Sequence, residues 1–127
     1  MKLLDNQFNE SSLSRLGEEA CRLLIVKDFA GLAEKFGYAL ALNYAPAVKI
    51  EMDFQSCLSG CSVAHPGSCS NIESVTVKHF KPNDTGLISL IECVVLVENK
   101  ARVLVELIVT KNGKDLYLYL EQVSAAD

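Results

Sequence analysis

Residues 101–123 read ARVLVELIVTKNGKDLYLYLEQV, and the punctuation of this stretch decides the class of fold. Apolar and other side chains alternate on both sides of Asn112-Gly113. Both central residues of a two-residue hairpin turn take positive φ, which Asn and Gly tolerate, so the stretch predicts two antiparallel strands. A turn centred on Asn112-Gly113 sets Val109 opposite Leu116, Leu107 opposite Leu118 and Val105 opposite Leu120. Applying the same rule at Asn99-Lys100 sets Leu96 opposite Val103 and Val94 opposite Val105. The two registers agree on one core face: Leu90, Val94, Leu96, Val103, Val105, Leu107, Val109, Leu116, Leu118 and Leu120. The reading predicts a meander of three or four strands over 73–81, 87–98, 101–111 and 114–123.

The second face of this meander carries Ile91, Cys93, Val95, Val97, Leu104, Ile108, Tyr117 and Tyr119, interrupted by Arg102, Glu106 and Glu121. A sheet with one solvated face alternates apolar with polar side chains. Here both faces are apolar in the middle strands, and so large an apolar surface marks an interaction site unless the chain covers it.

The period differs upstream. Leu13, Leu16, Ala20, Leu23 and Leu24 recur on one helical face, with Ser11 or Ser12 as the expected N-cap. Asp28 reads as a second N-cap, followed by Phe29, Leu32, Ala33 and Phe36, and Gly37 reads as the C-terminal stop. Residues 47–54, AVKIEMDF, alternate strictly and predict a half-buried strand, with Tyr38–Leu42 a candidate strand before it. Residues 56–71, rich in Ser, Gly and Cys, predict a loop. The expectation is one α+β domain over 1–127, a helical pair packed on a curved antiparallel sheet.

Composition narrows the function. Half of the 127 residues are apolar and 22% are charged, which suits a globular chain able to bury a core. The longest apolar runs, such as Val94–Val97, are too short to span a bilayer, and the N-terminus lacks the pattern of a secretory signal. The expected location is the cytoplasm, away from membranes. Net charge is −4, and the 12 basic residues are scattered, which argues against tracking a nucleic-acid backbone.

Several residues invite chemistry. Cys57, Cys61, His65 and Cys69 contain the ligand types of a tetrahedral zinc site, but the usual spacing is C-x-x-C, and a loop with incidental thiols explains them better. The same loop could carry a disulfide, and His65 or His79 could act as base to a loop thiol. Glu92 falls on the expected core face, where burial would raise its pKa toward acid–base use, though a rim position open to water explains it better. Glu106 falls on the second face, opposite Tyr119 and Cys93. No catalytic set is complete, and the reading calls for no metal and no cofactor.

The segment Ser12–Phe36, closing on KDFAGLAEKFG, resembles the opening of the nuclear transport factor two-like (cystatin-like) cone folds. The ending LVELIVTKNGKDLYLYLEQV is similar to the last hairpin of that superfamily. The resemblance implies helices and a curved sheet enclosing a pocket. It implies a divided set of functions: isomerases, dehydratases and cyclases in some members, protein binding or dimerisation in others. Small acidic immunity proteins of bacterial toxin systems resemble this chain as well. The leading expectation is therefore a non-enzymatic protein-binding module using Val95, Leu104, Glu106, Tyr117 and Tyr119. Its partner would be a toxin or a second copy of the chain. The alternative is a small-molecule enzyme or carrier with Glu92 in a cone-shaped pocket.

Overall fold

A computed structural model describes residues 1–58, 70–97 and 101–126. Three N-terminal helices pack against a four-stranded, curved, open antiparallel sheet, the α+β arrangement expected.

The first helix, α1 (Glu10–Ile25), buries Leu13, Leu16, Gly17, Ala20, Cys21 and Leu24. Its N-cap is Asn9 instead of Ser11 or Ser12, and the Asn9 side chain accepts from the Ser12 amide at 2.8 Å. Lys27, at φ 61°, breaks the chain before the second helix, α2 (Phe29–Phe36). Asp28 caps α2 by accepting from the Gly31 amide at 2.9 Å, and Gly37 at φ 69° ends it. Only glycine takes this conformation without a Cβ penalty.

The stretch expected as early strands is helical. Residues Ala39–Ala41 form a 3-10 turn, and Pro46–Leu58 form the third helix, α3. Proline is preorganised for a first helical position, where its missing N–H is not needed. Of the alternating set, Ile50 and Phe54 are fully buried, whereas Val48 is 50% and Met52 40% exposed. Ala47, Cys57 and Leu58 pack against the same core. The buried and partly buried positions 47, 50, 54, 57 and 58 follow helical spacing, so the alternation was a shorter accident on a longer period.

The strands are β1 (Asn71–His79), β2 (Leu87–Val97), β3 (Ala101–Asn112) and β4 (Asp115–Ala125), each paired with the next. The β3–β4 turn centres on Gly113-Lys114, since Asn112 pairs with Asp115. This displaces the partners on the turn side of the bulge two residues from the expected ones, giving Val109↔Leu118 and Leu107↔Leu120, and leaves the faces unchanged. Glu121 is then an extra residue: Leu120 pairs with Leu107 but Gln122 with Glu106, and this bulge brings Val123 into the core.

Between β2 and β3 the correction matters more. Val95 pairs with Val103 and Cys93 with Val105, one residue away from the expected register. A one-residue slip turns a strand over. Ile91, Cys93, Val95 and Val97 therefore join Val103, Val105, Leu107, Val109, Leu118 and Leu120 beneath the helices. Leu90, Glu92, Val94 and Leu96 point the other way. Val97 pairs with Ala101, where the expected turn would have paired 98 with 101, and both parities of β2 are largely apolar, so hydrophobic pattern alone could not choose.

Two contacts lock the helices onto this face. At Gly17 a Cβ would lie 2.8 Å from Ile91 Cγ2 and 3.0 Å from Cys93 Sγ, so α1 approaches β2 at a distance only glycine allows. Near the β4 bulge, the Tyr38 hydroxyl donates to Asp53 on α3 at 2.5 Å and accepts from the Val123 amide at 3.2 Å. Burial, then the Asp53 hydrogen bond, raises the Tyr38 pKa and keeps the hydroxyl protonated. Along the outer edge of β4, the amides of Leu3 and Leu118 donate to the carbonyls of Leu116 and Met1, each at 2.8 Å.

Gly17→Val is expected to destabilise the protein by about 1–3 kcal/mol through overpacking against Ile91 and Cys93, read as a lower urea midpoint. Tyr38→Phe strands the Val123 amide and removes one partner of Asp53. Its expected cost is about 1–3 kcal/mol by the same measurement, and an unchanged midpoint would contradict the tie between α3 and the bulge.

Candidate docking face of the sheet

The helices contact the sheet on the face that carries Ile91, Cys93 and Val123, and the strand registers arrange the opposite face into rows. One row across the strands is Lys78, Leu90, Ile108 and Tyr119. The next is Thr76, Glu92, Glu106 and Gln122, with the bulged Glu121 beside it. The third is Ser74, Val94, Leu104 and Ser124. Leu96 lies beyond the third row and Tyr117 beyond the first. Leu90, Val94, Leu96, Leu104, Ile108, Tyr117 and Tyr119 are all partly exposed, in contrast to the full burial of the other face.

The middle row is acidic. Glu92 and Glu106 are direct cross-strand partners, an arrangement in which like charges repel. Lys78 forms an ion pair with Glu92 from the neighbouring strand. Arg102 is held by Glu73 at 2.9 Å. Among the described residues no cation lies within ion-pair distance of Glu106. Its pKa is raised by burial first, then by the carboxylates of Glu92 and Glu121, with Lys78 opposing.

The face therefore contains Leu104, Glu106, Tyr117 and Tyr119 of the expected set, but not Val95, which is fully buried under the helices. The slipped register is the reason. It also moves Cys93 from the outer face into the core beside Cys21, and moves Glu92 from the core face to the outer one. A pocket between helices and sheet would thus not contain Glu92. Surface clefts of about 450 Å³ beside Leu3 and Phe8, and about 270 Å³ beside Phe80 and Ile88, are lined by neither Glu92 nor Glu106.

The thiol chemistry gains no support within the described residues. Cys57 is half-buried near the end of α3, where its thiol donates to the Asp53 carbonyl at 3.2 Å and its pKa is raised mainly by burial. Cys61, His65 and Cys69 lie outside the described residues. His79 shares a hydrogen bond of 2.7 Å between Nδ1 and the buried Ser89 hydroxyl and packs edge-on against Phe8. No group of three His, Cys, Asp or Glu side chains among the described residues could hold a metal ion, and no helix is long and apolar enough to cross a membrane.

The turn assumed at Asn99-Lys100 put Leu90, Val94 and Leu96 on the core face, whereas the observed register puts them on this one. A signal was present in the parity: placing Glu92 with Glu106 puts both acids on the solvent side and leaves Ser89, among the described residues, as the one polar residue that is buried.

A glutamate whose pKa is raised on folding binds its proton more tightly in the native state. Stability is then greatest below the ordinary glutamate pKa and falls as pH rises through the raised value. Glu106→Gln is expected to unfold like the wild type in acid but to be more stable by about 0.2–1 kcal/mol at neutral pH, measured by urea unfolding at both pH values.

Protein-family models, curated proteins and solved structures all yield no match to this chain.

Proposed function

We propose that this chain is a non-enzymatic protein-binding module that seats a partner protein on the outer face of its sheet. The observation that carries the reading is the pair of apolar rows, Leu90–Ile108–Tyr119 and Val94–Leu104, lying on the side of the sheet that the helices leave open. Partly exposed apolar side chains that are contiguous over three strands are unusual on a surface without a partner. Tyr117 and Tyr119 supply the aromatic anchors typical of interface centres: large, semi-rigid, and able to hydrogen-bond through the hydroxyl. The architecture suits such use, since strands hold the contact residues in fixed rows.

The resemblance to cone-fold immunity proteins supplies the specific version, in which the partner is a toxin encoded beside this chain and the module neutralises it. Coexpression with the neighbouring gene product tests it. Wild-type protein should restore growth and copurify as a stoichiometric complex. Leu104→Asp and Tyr119→Arg should keep the far-UV circular dichroism of the fold and lose both effects. Protection that survives both substitutions would place the contact elsewhere.

A further inference from the structure

The acidic row lies between the two apolar rows, so no partner can cover Leu90, Ile108 and Tyr119 together with Val94 and Leu104 without also covering Glu92 and Glu106. That geometry constrains what the partner must bring. Covering a carboxylate removes its water, and an unpaired buried charge is strongly unfavourable unless an opposite charge with good hydrogen bonds replaces the solvent. Glu92 already has Lys78. Glu106 and Glu121 have no such ion pair among the described residues, and Arg102 is engaged with Glu73.

We infer that the occupant of this face is a different protein chain that inserts a cationic side chain, flanked by apolar ones, onto the Glu106 carboxylate between the rows. A guanidinium fits the site well: it is planar, weakly hydrated, and able to span two carboxylates such as Glu106 and its cross-strand partner Glu92. The cross-strand repulsion between those two residues, unfavourable in the free protein, becomes an attraction shared by one guest cation.

The same geometry opposes a second copy of this chain. A two-fold dimer presses a patch against itself. Seating both apolar rows would bring Glu92, Glu106 and Glu121 of each copy together, while among the described residues Lys78 is already paired with Glu92 and Arg102 with Glu73. Like-charge juxtaposition of that kind suppresses a pairing. An uncharged apolar partner is disfavoured for the desolvation reason above.

The inference rests on the docking reading, and the experiment separates the two. The probes are a fluorescein-labelled synthetic peptide of alternating leucine and arginine, and a control alternating leucine and glutamate. Binding to the full chain is followed by anisotropy at neutral pH, at low and high salt, with sedimentation of the free chain alongside. The expected result is a monomer that binds the arginine peptide and not the glutamate peptide. Affinity should weaken about tenfold or more in Glu106→Gln, as truncation of one member of a buried charge pair does, and fall with salt. Leu104→Asp should abolish binding. If both peptides bind alike, or if Glu106→Gln matches the wild type while Leu104→Asp abolishes binding, charge selection is overturned and the docking face stands. A neutral-pH dimer that Leu104→Asp dissociates would likewise replace the foreign partner by a second copy. Binding that neither substitution alters would overturn both.

Discussion

The structure depends on the parity of β2. Its eleven residues are apolar on both sides, and the pairing of Val95 with Val103 selects which side meets the helices. Moving that pairing by one residue would bury Glu92 and expose Cys93, Val95 and Val97. Two features enforce the observed choice. Burying Glu92 would desolvate a charge with no partner beneath the helices, which costs far more than exchanging one aliphatic residue for another. Gly17 on α1 offers a notch that receives Ile91 and Cys93.

The helix layer is shaped around this sheet. The notch at Gly17 brings α1 over β2, and Ile50 and Phe54 carry α3 into the core, where Phe54 packs against Phe29 of α2 with ring centroids 5.7 Å apart. The polar tie from Tyr38 to Asp53 and Val123 joins the loop before α3, the helix itself and the bulged end of β4. A bulge frees backbone groups that a regular ladder would pair, and the Tyr38 hydroxyl takes up one of them. The bulge at Glu121 thus serves both sides of the sheet. It turns Val123 inward and adds a carboxylate beside Glu106 on the outer face.

On the proposed docking reading, that outer face is where the requirements of folding and of use diverge. A cross-strand pair of glutamates between apolar rows repels in the isolated protein, with Lys78 paired to Glu92 alone, and aliphatic residues there would pair better. Departures of this kind, in which local preference conflicts with the free structure, concentrate at functional surfaces. On the same docking reading, the apolar rows supply adhesion without selectivity, while the acidic row restricts which partner can exploit them, since specificity requires that unsuitable partners be penalised.

The sequence by itself determined the class of fold, because its strongest signals are local: the Asp28 cap, the Gly37 stop, and alternation on both sides of the last turn. It also determined that both sheet faces are apolar, hence that one surface is left over. It did not determine which face, because period-two alternation is symmetric when both parities are greasy, and a turn misplaced by one residue inverts the answer. Nor did it reveal α3, where eight alternating residues imitate a strand while the longer spacing Ala47, Ile50, Phe54, Leu58 belongs to a helix. Leu104, Glu106, Tyr117 and Tyr119 were legible on the outer face because their strands kept the expected parity; Val95 and Glu92 were not, because theirs reversed. Tertiary structure made that decision through the desolvation of one carboxylate and the close fit at one glycine, neither of which is encoded in any short stretch of chain.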